Sequence, residues 1–153
     1  MTDRAEMIAV LKRSCVPVLR DMGFQGTFPH FYREDAGFVD LVTFQFGREG
    51  GCFCVNLGQA DRRWWTSLLL PKVAPDKLRF HQTRGWVRLG AIQGDRWFVY
   101  DPEIAVLRRS AAQTPDEIAA LCAELFLSHA EPWWAQRRSE ARVFSGRSRP
   151  PRP

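Results

Sequence analysis

The sequence predicts an α+β fold: an antiparallel sheet of about five strands, with an N-terminal helix and two or three C-terminal helices packed on one face. Three observations predict it. Apolar residues recur at three-to-four spacing near both ends of the chain, they follow a period of two in its middle, and tight glycine-rich turns join the middle segments. Strands and helices are therefore segregated along the chain, and turns this short connect antiparallel strands.

The first predicted element is a helix whose apolar stripe runs from Met7 to Met22. Gly23 follows the stripe, at the position where a left-handed C-cap belongs. Pro17 lies inside the stripe and has no backbone N–H, so we expect a kink or a break near residue 16.

A meander of three strands comes next, over residues 27–33, 38–46 and 52–57. Two short segments rich in glycine and charged residues separate these strands and predict tight turns. The middle strand carries apolar side chains on both faces, which is typical of a strand in the centre of a sheet.

The second half of the chain predicts a hairpin followed by helices. Residues 61–70 have helical spacing over one or two turns, and residues 84–89 and 96–100 form the hairpin. Asp101-Pro102-Glu103 begins a short helix. Thr114-Pro115-Asp116-Glu117 is a capping box that begins a longer one, and Glu131-Pro132 starts a further helix.

The formal net charge of +5 lies at the C-terminus. Residues 137–153 contain one acid, Glu140, and six arginines: Arg137, Arg138, Arg142, Arg147, Arg149 and Arg152. Residues 1–136 contain 16 basic and 16 acidic residues and are neutral. Since 153 residues suit one domain, we predict a single α+β domain over 1–136 and a basic, Arg/Pro-rich tail over 137–153.

Signals for export, membrane insertion and metal binding are absent from the sequence. The N-terminus has no apolar signal-peptide region, and no apolar run approaches the roughly 20 residues of a membrane helix. We therefore predict a cytoplasmic protein with no membrane partner. Cys52-x-Cys54 does not have zinc-site spacing, and no second pair completes a site, so we expect no metal and no cofactor.

An ordered set of short stretches resembles a known bacterial family. The stretches are Asp21-Met22-Gly23-Phe24, Phe31-Tyr32-Arg33, Val42-Thr-Phe-Gln-Phe46, Phe53-x-Val-Asn-Leu-Gly58, Arg88-Leu89-Gly90 with Trp97, and Pro132-Trp133. In order and spacing they resemble the DUF4304 family over residues 5–136, although residues 83–87 depart from the family's usual Cys-His-Ile-Arg-like stretch. The resemblance implies a small α+β domain and no established activity; partner-binding or immunity roles follow only by analogy.

Paired tryptophans and neighbouring arginines are the first candidate binding residues. Trp64-Trp65 follows Arg62-Arg63, and Trp133-Trp134 precedes Arg137-Arg138. Helical neighbours point about 100° apart, so one tryptophan of each pair at the surface would give an aromatic anchor for a partner. Arginines beside it would suit an acidic partner or a nucleic-acid strand. The alternatives are pairs that straddle two layers of a core and a general bias toward arginine, which outnumbers lysine by 19 to 3.

Two polar residues of the predicted central strand complete the candidate set. Asp40 interrupts an apolar face, and a buried carboxylate needs a partner, for which Arg33 or Arg88 on a neighbouring strand is suited. A structural salt bridge and a binding-site acid are both open interpretations. Gln45 lies on the opposite face, where it would hydrogen-bond a partner or hold a loop.

We predict a non-enzymatic module that binds another protein, with neutralisation of a toxin, as by an immunity protein, as one form of that role. The neutral body, the missing catalytic motif and the surplus of paired aromatics favour it. Two alternatives stay open: nucleic-acid association through the tail arginines, and an enzyme with a dispersed site. No nucleophile elbow, phosphate loop or His-Glu-x-x-His stretch surrounds His30, His81 or His129.

Overall fold

The computed structural model describes residues 3–62, 73–91 and 94–146. The helices and strands are α1 (Arg4–Ser14), α2 (Val16–Asp21), β1 (Gln25–Thr27), β2 (His30–Asp35), β3 (Phe38–Phe46), β4 (Cys52–Asp61), β5 (Val87–Arg88), β6 (Phe98–Val99), α3 (Pro102–Arg108), α4 (Pro115–Leu125) and α5 (Glu131–Gly146). Two 3₁₀ turns, Pro75–Lys77 and Phe80–Gln82, precede β5, and a π-helical turn, Phe126–Ala130, joins α4 to α5. The predicted α+β class is confirmed.

The described strands form one antiparallel sheet in the order β1-β2-β3-β4-β5, and β6 also pairs with β4. Strands β3 and β4 are the longest, and they pair along their whole length from Phe38↔Asp61 to Phe46↔Phe53. Most of their residues are buried on both faces. The prediction that residues 38–46 form a central strand is therefore confirmed.

One predicted strand, over residues 27–33, is two strands in the structure. β1 ends at Thr27 and β2 begins at His30, and these two residues pair across a two-residue turn, Phe28–Pro29. Pro29 has no backbone N–H to donate to a ladder, so the strand stops there and the chain reverses. The sheet consequently gains an extra edge strand.

Four helices cover one face of the sheet and enclose the main core. Met7 and Leu11 of α1, Leu19 of α2, Ile118 of α4 and Trp134 of α5 are fully buried there. The break between α1 and α2 falls at Cys15, two residues before Pro17, as the sequence predicts. The Thr114–Glu117 capping box is formed as well, with both reciprocal hydrogen bonds present.

Shorter elements cover the opposite face of the sheet at its two ends. At one end, Leu78 of the 3₁₀ segment packs on Val39 and Leu41. At the other end, Ala105 of α3 packs with Cys52 and Val99. Helix α3 therefore lies on the other face, and α4 and α5 are the two C-terminal helices that share one face with the N-terminal helix, within the predicted two or three. The reason for the position of α3 is local, because α3 begins directly after β6. Here α3 packs on Cys52 of β4, whose side chain points away from the face that carries Phe53 and the main core.

The described chain stays helical beyond the predicted domain boundary at residue 136. Helix α5 runs from Glu131 to Gly146, so Arg137, Arg138 and Arg142 belong to a helix rather than to a detached tail. The predicted tail residues 147–153 lie outside the described residues. So does most of the predicted helix over 61–70, of which only Asp61, the last residue of β4, and Arg62 are described.

Gly51→Ala should destabilise the fold more than Gly50→Ala. Both glycines have positive φ, +73° and +78°, so both substitutions place alanine in a conformation that costs about 1 kcal/mol. A Cβ at residue 51 would overlap Cγ1 of Ile104, on α3, whereas a Cβ at residue 50 has no atom within 4 Å. We expect an additional loss of about 1–3 kcal/mol for Gly51→Ala in urea unfolding. Equal losses would show that α3 does not pack on this turn.

Candidate functional site

Polar side chains collect at two places, one on each face of strands β3 and β4. The first, here the Asp40 cluster, lies between the sheet and α5 and consists of Arg33, Asp40, Gln59, Glu131 and Arg138. The second, here the transverse row, lies on the opposite face and consists of His30, Thr43, Asn56 and Arg88. Because successive residues of a strand point to opposite faces, β3 and β4 contribute to both.

Asp40 is the centre of the first cluster and has no exposed surface. Its Oδ2 accepts hydrogen bonds from Nη2 of Arg33 at 2.8 Å and from Nη1 of Arg138 at 2.7 Å. Its Oδ1 accepts from Nε2 of Gln59 at 2.8 Å. Three donors from three elements therefore compensate the lost hydration of this carboxylate.

Glu131, at the start of α5, joins the two arginines of the Asp40 cluster. Its Oε2 accepts from Nη1 of Arg33 at 2.8 Å, and its Oε1 lies 3.7 Å from Nη2 of Arg138. Burial alone lowers the pKa of Arg33, but the hydrogen bonds and charges of Glu131 and Asp40 outweigh burial and raise it. The guanidinium group of Arg33 is therefore held charged between the carboxylates of Asp40 and Glu131.

The Asp40 cluster fixes α5 to the sheet. Next to it, the fully buried indole of Trp134 donates from Nε1 to the carbonyl of Gly58 at 2.9 Å, and Gln59 donates to the carbonyl of Trp134 at 3.2 Å. The guanidinium of Arg33 lies 5.2 Å from the Trp134 ring centroid. The charged side chains of the cluster pair with one another within the fold, so the cluster has a structural role.

The structure decides between the two proposed partners of Asp40. Arg33 is its register partner on β2 and its ion-pair partner, as predicted. Arg88 does not contact Asp40, because its side chain is on the other face of the sheet, beside Asn56 and Cys54. Arg138, predicted as a tail residue for nucleic-acid binding, is instead buried against Asp40. The surface that a nucleic acid would need is therefore not available at Arg138.

The transverse row crosses four strands at one register position. His30 of β2 pairs with Thr43 of β3, Thr43 with Asn56 of β4, and Asn56 with Arg88 of β5. Nδ1 of His30 lies 3.1 Å from Oγ1 of Thr43, and Nη1 of Arg88 donates to Oδ1 of Asn56 at 2.6 Å. Gln45 extends the row diagonally, since its Oε1 accepts from Nδ2 of Asn56 at 3.0 Å.

Two aromatic rings contact the guanidinium group of Arg88. Its Cζ lies 5.3 Å from the ring centroids of Trp86 and of Trp97, and Arg108 of α3 lies 4.4 Å from that of Trp97. Nε of Arg88 forms an ion pair with Asp95 at 2.9 Å. The side chains of Trp86, Arg88, Trp97 and Arg108, here the Trp–Arg ladder, alternate aromatic rings and cations, and each cation is attracted to the rings beside it.

Two titratable groups of this face are unsuited to carry charge. Burial raises the pKa of the Cys54 thiol to about 11, although the charge of Arg88 opposes the shift. Cys54 is therefore a neutral thiol near pH 7, which disfavours its use as a nucleophile. Burial lowers the pKa of His30, and the charge of Arg79 lowers it further. His30 is therefore neutral under the same conditions.

The remaining sequence-predicted residues fall into three groups. Arg63, Trp64, Trp65, Arg147, Arg149 and Arg152 lie outside the described residues. Arg62 forms an ion pair with Glu34 at 2.8 Å, and Arg142 is exposed on α5. Trp133 is half-buried under Arg137, whose Nη2 donates to the carbonyl of Arg84 at 2.6 Å, whereas Trp134 is fully buried and unavailable to a partner.

Sequence reasoning missed the transverse row and the Trp–Arg ladder. A signal for them exists, because Thr43 with Gln45 and Cys54 with Asn56 occupy alternate positions that point to one face. Their alignment with His30 and Arg88 depends on the strand register, which local sequence does not display.

Two kinds of site are absent from the described part of the chain. Within residues 3–62, 73–91 and 94–146, no three His, Cys, Asp or Glu side chains are grouped as metal ligands would be. None of the helices in those ranges combines the length and the apolar composition that crossing a bilayer requires.

Comparison with known proteins gives one match. The family model described as "Domain of unknown function (DUF4304)" matches residues 15–136, which is more than half of the chain. The match contains the transverse row, the Trp–Arg ladder and the Asp40 cluster except Arg138. Neither curated proteins nor solved structures gave a match.

Asp40→Asn should cost about 3 kcal/mol of unfolding free energy, because it leaves Arg33 and Arg138 buried with too little negative charge. The matched control is Asp116→Asn, which removes an exposed ion pair with Arg13 at 3.1 Å and should cost at most about 1 kcal/mol. Urea unfolding measures both. Similar losses for the two variants would contradict the structural role of the Asp40 cluster.

His30→Gln should reduce the loss of stability on acidification. Since the pKa of His30 in the folded chain is below its ordinary value of 6.5, the unfolded chain takes up the proton first as the pH falls. The folded state then loses stability below that pH, whereas above it both states are neutral. Between about pH 7 and about pH 5 the variant should lose less unfolding free energy than the parent. Superimposable pH profiles in urea unfolding would refute this.

Proposed function

Since the chain belongs to the DUF4304 family, whose description leaves the function unknown, we propose a function from its own surface: it is a non-enzymatic protein-binding module. The binding face is the side of the sheet that carries the Trp–Arg ladder and α3. The observation that carries the proposal is a set of exposed aromatic and apolar side chains held beside ordered arginines.

The exposed side chains of this face have the composition of an interface hot spot. Trp86 is 42% exposed, and Val106 and Leu107 of α3 are 78% and 79% exposed. The next residue, Arg108, stacks on Trp97. Tryptophan and arginine are the residues most enriched where binding energy concentrates, and apolar neighbours exclude water around them. This supports a protein partner better than a small-molecule substrate.

The ladder is also ordered before any partner binds. Arg88 is held by Asp95, by Asn56 and by the two indole rings, and Nε1 of Trp97 donates to Asp95 at 2.7 Å. Side chains that are already fixed lose less conformational entropy on association. Neutralisation of a toxin by occlusion is one form of such binding, and it stays part of the proposal.

The two alternatives have less support. An enzyme with a dispersed site would use a His, a Cys and an acid together, and Cys54 has a raised pKa, which makes it a poor nucleophile. Nucleic-acid binding through the tail would rely on six arginines, of which Arg137 and Arg138 are engaged in contacts within the domain. No cofactor is part of the proposed role.

Leu107→Glu should weaken partner binding at least about tenfold, because it places a charge among the exposed apolar side chains of the proposed face. The tagged chain is used to isolate a protein partner from its host, and the dissociation constant of the purified partner is then measured by calorimetry. The matched control is Leu127→Glu, which adds the same charge at a 58% exposed leucine of the π-helical turn, away from α3.

Two results would reject this proposal. Equal affinity of the Leu107→Glu and Leu127→Glu variants would place the partner elsewhere on the chain. Capture of RNA or DNA in place of a protein, abolished by removal of residues 147–153, would replace it with the nucleic-acid alternative. If the isolated partner is a toxin, cells that produce it together with this chain should grow. Loss of that growth with the Leu107→Glu variant supports the toxin-neutralising form.

A further inference from the structure

The hydrogen bonds of the transverse row run in one direction. A guanidinium group only donates, so Asn56 must present Oδ1 to Arg88 and its Nδ2 must face Gln45. Gln45 then has to accept with Oε1, which leaves its Nε2 amide pointing away from Asn56. The orientation of both amides therefore follows from the arginine alone.

The row consequently ends in unused donors. Among the residues that the structure describes, Nη2 of Arg88 and Nε2 of Gln45 make no hydrogen bond. Oδ1 of Asn56 and Oε1 of Gln45, in contrast, each accept one already. Gln45 is exposed, and the side chain of Arg88 is 15% exposed, so both donors lie beside the Trp–Arg ladder at the surface.

The charges around Arg88 leave a positive excess. Asp95 is its ion-pair partner and also accepts from Trp97, so both oxygens of this carboxylate are engaged. Cys54 accepts a hydrogen bond from Arg88 as a neutral thiol. Arg108, which also lies over the ring of Trp97, adds a second cation. Within the described part of the chain, Asp95 pairs with Arg88 and no ion pair joins a carboxylate to Arg108, so the two guanidinium groups leave an excess of positive charge.

We propose that Nη2 of Arg88 binds a carboxylate of the protein partner, an Asp or Glu side chain, while Nε2 of Gln45 binds a neutral carbonyl beside it. This inference rests on the proposed function and names the chemistry of its partner. A planar carboxylate of one negative charge matches an excess of one positive charge and a planar donor. A doubly charged phosphate would exceed the charge available. Trp86, which is exposed beside Arg88, covers the apolar stem of the acidic side chain.

The test is a titration of the ¹⁵N-labelled full chain with N-acetyl-glutamate N-methylamide, followed by NMR at Nε of Arg88 and Nε1 of Trp97. We expect saturable shifts at both nitrogens. The glutamine analogue of the probe, equal in shape but uncharged, should bind at least about tenfold more weakly. Inorganic phosphate is titrated in parallel, and tighter binding of phosphate than of the glutamate probe would overturn the assignment to a carboxylate.

Two variants locate the site. Gln45→Glu keeps an acceptor for Asn56 but replaces the free donor with a negative charge. It should lower the affinity for the glutamate probe at least about tenfold. Gln82→Glu is the matched control, because Gln82 also accepts through Oε1, from the backbone N–H of Arg79 at 2.9 Å, outside the row. It should change probe binding less than about threefold. Equal effects of the two variants, or no saturable shift, would overturn the inference.

The same variants separate this inference from the proposed function. If Leu107→Glu abolishes partner binding and Gln45→Glu leaves it unchanged, the protein-binding role is sustained and the proposed carboxylate at Arg88 is rejected. If the glutamate probe binds saturably and Gln45→Glu weakens its binding, but no protein partner is isolated, the carboxylate site is supported and the protein-binding role is not.

Discussion

The buried carboxylate of Asp40 is the constraint on which the arrangement of the molecule depends. A charged group with no exposed surface requires compensating donors, and the sheet supplies only Arg33 and Gln59. The third donor, Arg138, comes from α5, which must therefore lie across this end of β3 and β4. The position of α5 in turn buries Trp134 and brings Glu131 onto Arg33, so charge and apolar burial determine the same packing.

The two faces of β3 and β4 differ in polarity, because four helices pack on one face and a row of polar side chains lies on the other. Among the residues that the structure describes, the 3₁₀ segment and α3 cover this second face at its ends, and between them lies the row of polar side chains, which starts at His30 and ends at Arg88. Alternate residues of the same two strands thus hold the fold together on one side and present hydrogen-bond donors on the other. The Trp–Arg ladder stands at the edge of this second face.

Local signals in the sequence predicted most of the fold. The helical periods, the Thr114–Glu117 capping box, the break before Pro17 and the central strand all agree with the structure, because each depends on residues near one another. The Asp40–Arg33 pair was also predictable, since the two residues lie on strands joined by a tight turn. The contact of Asp40 with Arg138, 98 residues away, depends on where a distant helix packs.

The sequence by itself therefore determined the class of fold, the order of its elements and the presence of a buried acid that needed a partner. The tertiary structure alone decided which arginines are buried within the fold and which lie on the opposite face of the sheet. The sequence predicted Arg138 in a basic tail, and the structure buries it against Asp40. The sequence offered Arg88 as one of two partners of Asp40, and the structure places it on the opposite face beside Asn56. The physical reason is that charge type is local to a residue, but its neighbours are set by strand register and helix packing.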